Sequence, residues 1–493
     1  MADYMFMLES HLTVPRRQAA AAVEAAAAES DEQLFLTGGA MRDMLGGFPI
    51  GDLDFVVQGN ALALAKKAAR MVAGTKIVST DTVRQSAELV FPGGVTAEIA
   101  MARTERFPRP GASPVVKPAS IHEDLQRRDF TINSIALSFH AASRGLLLDP
   151  NNGQADLERR ELRAITSYGF YDDPLRLLRL IRFRVRFDFS VESRTQQQYA
   201  NAREAAMETR IPVRDLAREF RSIANESKVG EVTTALAEEG LLTLFSPALS
   251  GPKLNLAALA KLEKAKQMIP YWVDLNLNNL EIFLYFLTEK LSPKEKAALA
   301  RRLKITKAEQ ELWQKLEARS RRLGAELRSR KLHRASELYR RLREAPGDEI
   351  LFLYLRAPER IVRDRIRTYL QKYLFVVQEV TDRDVSLQAG VEPASPEFSQ
   401  IKEEMIAARL DGRKWTPPIK SASGSSARKK PSSKAARKKR AGSQTASPAT
   451  APAKSASGSR RKTARAATAS AKSASGSRRK TARAATGKRR ASQ

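Results

Sequence analysis

Leu36-Thr37-Gly38-Gly39-Ala40-Met41-Arg42-Asp43, followed by Gly51-Asp52-Leu53-Asp54-Phe55-Val56-Val57, is the stretch on which the reading of this 493-residue chain turns. The apolar run Gln33 to Thr37 stops at two glycines, the pattern of a strand entering a turn. A second strand is expected over 51–57, with carboxylates near its start. Residues two apart on a strand face the same way, so Asp52 and Asp54 share a side. Two hard oxygen ligands held close suit Mg2+ ions. A glycine turn leading into a helix lets backbone N–H groups approach a triphosphate, and Arg42 adds a positive charge beside it. An isolated Asp-x-Asp is usually a solvated loop pair. The glycine turn ahead of this one argues against that reading.

Working outward, the Ala-rich segment 14–30 is expected to be a helix, and Asn60 to cap another running through Ala73. Lys76 to Ser79, Glu88 to Phe91 and Val95 to Ala102 read as further strands. Prolines at 108, 110, 114 and 118 make 107–118 a loop. From about 154 to 412 apolar residues recur every three or four positions, the helical period. The fold class expected is α+β: a small β-sheet head with helices over 1–154, a helical neck over 155–245, a helical body over 246–415, and a tail over 416–493.

Charge separates the tail from the rest. Of the net +30, 22 positive charges fall between Lys420 and Gln493, where there is no Asp or Glu, leaving +8 for the remainder. Ala453–Thr468 recurs as Ala471–Thr486, and no aromatic residue follows Trp415. Such a segment self-repels, has no apolar face to stack, and attracts polyanions, so it is expected to be disordered and to bind RNA without specificity. The chain has no cysteine, which excludes disulfides and thiolate metal sites and fits a reducing cytoplasm. No run of 18 apolar residues calls for a membrane span, and Met1-Ala-Asp-Tyr does not read as a signal peptide.

Further constellations follow the first. Glu123-Asp-Leu-Gln-Arg127-Arg128-Asp129-Phe-Thr-Ile-Asn133 supplies arginines for phosphates and polar groups for a ribose hydroxyl. Asp172-Asp173-Pro-Leu-Arg176-Leu-Leu-Arg179-Leu-Ile-Arg182 puts an acid and three arginines on one helical face, where an acceptor and a planar donor can read a base edge. Asp149-Pro-Asn-Asn-Gly153-Gln-Ala-Asp156 reads as a turn and helix start.

Together these runs resemble the class II tRNA nucleotidyltransferase and poly(A) polymerase family of the polymerase β superfamily. The resemblance implies template-independent addition of a terminal A, or of CCA, to the tRNA 3′ end from ATP and possibly CTP. It makes Asp52 and Asp54 metal ligands and Glu98 a third catalytic carboxylate. It assigns Gly38, Gly39 and Arg42 to the triphosphate, Arg128, Asp129 and Asn133 to phosphate and ribose, and Asp173 and Arg176 to the base, with Arg179 and Arg182 on the same helical face as further nucleotide-binding residues. Asp172 stands where the family has Glu. Arg210 to Phe220 matches the family's next helix only in part and is read as neck packing. The segment Thr104 to Ser120 falls where family members carry a loop implicated in the C-to-A switch. Ser79 to Ser86 lacks the stretch that marks the poly(A) polymerase branch. A poly(A) polymerase, or a non-enzymatic RNA-binding protein suggested by the tail alone, are the other readings; A-only and full CCA addition stay open.

Overall fold

The computed structural model describes residues 3–416 except 271 and 274. The tail expected over 416–493 therefore lies, from 417 onward, outside the described residues. Two N-terminal helices, α1 (Tyr4–His11) and α2 (Val14–Ala28), precede β1 (Gln33–Thr37), α3 (Gly38–Leu45), β2 (Leu53–Gln58) and α4 (Ala61–Met71). Then come β3 (Lys76–Asp81), β4 (Ser86–Phe91), β5 (Val95–Met101), β6 (Arg103–Arg106), β7 (Val115–Pro118), α5 (Ile121–Gln126), β8 (Ala136–Ser138) and β9 (Leu147–Leu148). Beyond them the chain is almost wholly helical: α6 (Gly153–Arg159), α7 (Gly169–Asp172), α8 (Leu175–Phe187), α9 (Ser193–Glu204), α10 (Val213–Asn225), α11 (Val229–Glu238), and further helices as far as Leu410. The fold is the α+β class expected.

Strands β3-β4-β5-β2-β1-β8-β9 form one seven-stranded sheet, in that order. The β2–β5 pair is parallel, with Asp54 beside Glu98; β4 runs antiparallel to β5, with Glu88 on the other side of Glu98. The two-residue period sorts the side chains. Leu53, Phe55 and Val57 of β2, with Ala97 and Ile99 of β5, enter the main core, to which α2 and α4 add Val23, Ala26, Leu64 and Ala68. Asp54 and Val56 alternate to the opposite face. There a second apolar cluster of Phe35, Val56, Ala102, Ile121, Leu125 and Ala136 lies under α5 and leaves the carboxylate end of the sheet uncovered. The site thus sits at the end of that face which α5 leaves open.

Three expectations need correction. Residues 107–118 are not all loop: β7 pairs with β6, Val115 opposite Arg106 and Pro118 opposite Arg103. This is a two-stranded ribbon whose strand ends at a proline, where a missing N–H is tolerated. A helix not anticipated spans Tyr4–His11, capped by the Asp3 carboxylate, which accepts from Phe6 N at 3.0 Å. The second strand begins at Leu53, so Asp52 precedes it. Elsewhere the local signals act as read: Asn60 Oδ1 accepts from Ala63 N at 3.0 Å and starts α4. Asp149 accepts from Gly153 N at 2.7 Å and Gln154 N at 2.9 Å to start α6. Asp156, fully buried, then ties Thr131 of the head to Arg163. None of the described helices is long and apolar enough to cross a membrane.

Candidate active site

β1 ends in Thr37, and Gly38 takes φ +61, a left-handed turn that feeds directly into α3. A Cβ at Gly38 would lie 2.9 Å from Arg128 Nη1, and one at Gly39 3.0 Å from Asp54 Oδ2. Only glycine allows the turn to lie this close to the carboxylate on β2. Gly39 N–H donates to Asp54 Oδ2 at 3.0 Å. Arg128 spans the same corner, donating to Thr37 Oγ1 and Asn133 O at 3.0 Å each and to Asp124 Oδ2 at 3.0 and 3.2 Å. Asp124, completely buried, also takes Arg127.

Asp54 occupies the floor of a cleft of about 1310 Å3. Burial, then Glu98, then Asp52 push its carboxyl up to about 7, against the smaller pull of Arg128 and the Gly39 N–H. Asp52 accepts a hydrogen bond from Thr96 Oγ1, and both Asp52 and Glu98 are exposed. Asp52, Asp54 and Glu98 line one side of the cleft, near enough for Glu98 and Asp52 to act on Asp54. Their hard oxygen donors suit a divalent cation. Among the described residues, however, no three carboxylates or histidines stand close enough to form a ready-made metal cluster.

The opposite wall comes from α8. Asp173 accepts from Leu175 N at 3.2 Å at the head of that helix. Arg176 is buried; its Nη2 donates to Arg127 O at 2.7 Å, while its Nε has no hydrogen-bond partner and lies 3.9 Å from Asp173. A buried guanidinium N–H left unpaired is costly unless something else meets it. Arg179 Nη1 donates to Asp129 Oδ2 at 3.1 Å, and Asn133 Nδ2 to Asp129 Oδ1 at 2.9 Å. Burial would raise the Asp129 carboxyl; Arg179, Arg176, Asn133 and the Phe130 N–H outweigh it and hold it at about 2. Arg182 is held by Glu219 at 2.6 Å and Glu226 at 2.8 Å. Arg42 donates to Asp43 and, at 2.7 Å, to Asn133, and lies 4.6 Å over the Phe187 ring.

All thirteen residues singled out from the sequence line this one cleft: Gly38, Gly39, Arg42, Asp52, Asp54, Glu98, Arg128, Asp129, Asn133, Asp173, Arg176, Arg179 and Arg182. Sequence reasoning missed Asp43, Asp124, Glu219 and Glu226, which anchor the arginines, and Arg186, which pairs with Asp43 and Glu226. Asp124 was legible, since Arg127 and Arg128 stand three and four positions on, one helical turn away. For Glu226 no local signal exists.

Comparison with known families matches residues 34–163 to the poly A polymerase head domain. Among proteins of known description, the A-adding tRNA nucleotidyltransferase of Geobacter sulfurreducens is 27% identical over 79% of this chain and 44% of its own length. The protein of the same description from Aquifex aeolicus is 30% identical over 69% of this chain and 40% of its own. That of Halalkalibacterium halodurans is 42% identical over 34% and 39%. The chain therefore spans less than half the length of these relatives. The matched segment begins just before the glycine turn and ends beyond the Arg128-Asp129 motif. Residues 34–163 thus match the poly A polymerase head domain, in a chain whose sequence is similar to the A-adding tRNA nucleotidyltransferases.

Proposed function

We propose that the protein adds nucleotides, without a template, to the 3′ end of tRNA, with the terminal A as its product from ATP. The observation that carries this reading is the meeting, in one cleft, of the Gly38-Gly39 turn on Asp54 with Asp173 and Arg176 at the head of α8. One side is built for a phosphoanhydride and the other for a base edge. The cleft volume of about 1310 Å3 exceeds the roughly 300–1,000 Å3 of an ordinary small-ligand pocket, leaving room for a nucleotide and the terminal residue of an RNA. The relatives described as A-adding favour terminal A over full CCA.

Residue roles follow from position. Gly39 N–H is already given to Asp54, so the triphosphate meets the other first-turn N–H groups of α3 and the Arg42 side of the cleft. Asp129 and Asn133 offer polar groups to the ribose, and Asp173 and Arg176 supply the acceptor and planar donor for the base. Asp52 and Asp54, with Glu98 alongside, would hold Mg2+, which when bound supplies the Lewis acidity that activates the RNA 3′-hydroxyl and steadies the departing pyrophosphate. Asp54 keeps the carboxylate strip in register with the turn, and α3 keeps the phosphates in line with it. The helical body would take the acceptor arm by shape and phosphate charge. The cysteine-free composition fits work in the cytoplasm.

The test supplies RNAs ending at the discriminator base, at C and at CC, with each nucleoside triphosphate given singly. A single A added to the CC end alone is expected. Long A tracts would favour a poly(A) polymerase, and C addition a CCA-adding enzyme. Asp54→Asn should lower addition more than about a hundredfold while RNA binding stays nearly unchanged; a variant retaining a tenth of the activity would remove Asp54 from the chemistry.

A further inference from the structure

The cleft wall carries a closed circuit of ion pairs. Arg42 donates to Asn133 Oδ1 at 2.7 Å and to Asp43 Oδ1 at 2.7 and 2.9 Å. Arg186 reaches Asp43 Oδ2 at 3.5 Å and Glu226 Oε1 at 3.7 Å. Arg182 bridges Glu226 and Glu219. Arg179 lies 3.8 Å from Glu219 and 3.1 Å from Asp129, and Asp129 returns to Asn133. Head, α8 and α10 are tied in one loop.

Its charges alternate and cancel: four arginines, 42, 179, 182 and 186, against four acids, 43, 129, 219 and 226. The acids are nearly inaccessible, with Glu219 2% and Glu226 5% exposed. Phe183 and Phe187 pack under three of the arginines, with Arg182 4.6 Å over Phe183 and Arg42 and Arg186 4.6 and 5.0 Å over Phe187. Such a wall presents fixed donors and almost no net charge. A triphosphate of either purine or pyrimidine would be drawn to four free arginines alike. A compensated wall leaves selection to hydrogen bonds at the base.

We propose that Glu226 is a positioning residue for nucleotide selection: it holds Arg182 and Arg186 back from the triphosphate, so that affinity is set by base contacts rather than by wall charge. The inference rests on the nucleotidyl-transfer reading for its substrate, but its central measurement is equilibrium binding, which needs no turnover. Glu226 lies just past the end of α10, outside every sequence run that pointed to the site.

Glu226→Gln keeps the shape and one acceptor and removes the charge. In the full-length protein, titration calorimetry with ATP and GTP should show ATP bound about three- to tenfold tighter. Freed Arg182 and Arg186 would also draw the triphosphate out of the register in which the base meets Asp173 and Arg176, so GTP should gain more and the ATP-to-GTP preference should fall; with CC-ended RNA, KM for ATP should drop while the misplaced nucleotide lowers kcat. Adding Arg186→Gln restores neutrality and should return both affinities toward the parent values, and Glu226→Asp should fall between. Weaker or unchanged binding of both nucleotides overturns the proposal, as does an ATP-to-GTP preference that stays intact. So does a double variant no closer to the parent than the single one, a comparison that still decides if Glu226→Gln alone proves unstable. A parent protein that binds ATP selectively but extends no RNA sinks the transferase reading and leaves this inference standing; a parent that binds neither nucleotide sinks both.

Discussion

The guanidinium of Arg176 has little room to move. Gly169 on α7 lies against it, and a Cβ there would sit 2.8 Å from Nη1 and 3.0 Å from Thr166 Oγ1. Gly169→Ala must therefore push the guanidinium aside, away from Arg127 O and from its place beside Asp173. A displaced planar donor loses a directional contact worth about 1–3 kcal/mol of discrimination. Misincorporation in place of A should rise about tenfold or more in single-nucleotide assays, with the melting temperature changed by only a few degrees; unchanged fidelity would show that the base is read elsewhere. Gly169 was not singled out from the sequence, because its purpose is the space it leaves for a side chain seven positions later. The residues that were legible, from Gly38 to Arg182, sit mostly in short runs whose spacing aligns them on a strand or a helix turn and carries the family resemblance; Glu98 was legible through that resemblance alone. Glu219 and Glu226 were not, because they meet Arg182 across 37 and 44 residues of sequence. Only the packing of α8 on α10 brings them together.

At the scale of elements, short apolar runs broken by glycines made the strands readable, and the two-residue period placed Asp54 on β2 and Glu98 on β5 on the face opposite Leu53, Phe55, Ala97 and Ile99. The β6–β7 ribbon was not readable, since its proline-bracketed Val115-Val116 carries no such alternation. The body helices were legible as helices, but not in their internal charge. Arg319, on helix Leu316–Arg328, pairs with Glu281, with Asp348 at 3.0 Å and with Glu349 at 3.3 Å, joining helices Asn279–Leu287 and Gly347–Arg356. Burial, then Asp348, push Glu281 up to about 7. Its folded value lies above its unfolded one, so the stability tied to its proton is complete below about pH 4.5 and is lost as pH rises through 7. Arg319→Ala strands buried carboxylates and should cost about 3 kcal/mol near pH 7.5. The loss should shrink at pH 5, where Glu281 can hold a proton. Denaturant titrations at the two pH values check this; an equal loss at both would mean the cluster is not what Arg319 stabilises.

For the whole molecule, the contrast is between the mildly basic described part and a terminal stretch with 22 positive charges from Lys420 onward. Each phosphate neutralised on single-stranded nucleic acid adds about 0.7 to the slope of log affinity against log salt. About seven engaged charges would therefore steepen it by about five. Deleting 420–493 should weaken RNA binding strongly at low salt and little at high salt, with nucleotide addition to saturating tRNA almost unchanged. Parallel salt series for the two proteins decide it, and equal slopes would leave the stretch without a phosphate-binding role. The circuit of ion pairs in the cleft wall bears on how such a chain can be taken apart and recombined. The sheet, turn and carboxylate strip look like a transferable module. Yet Asp129 depends on Arg179, and Asp43 on Arg186, from the neck. Grafted onto a foreign neck, the head would keep its architecture and carry two buried acids with those partners missing. The smallest interchangeable piece thus runs from the first strand to Glu226, and exchange points within it would be selected against.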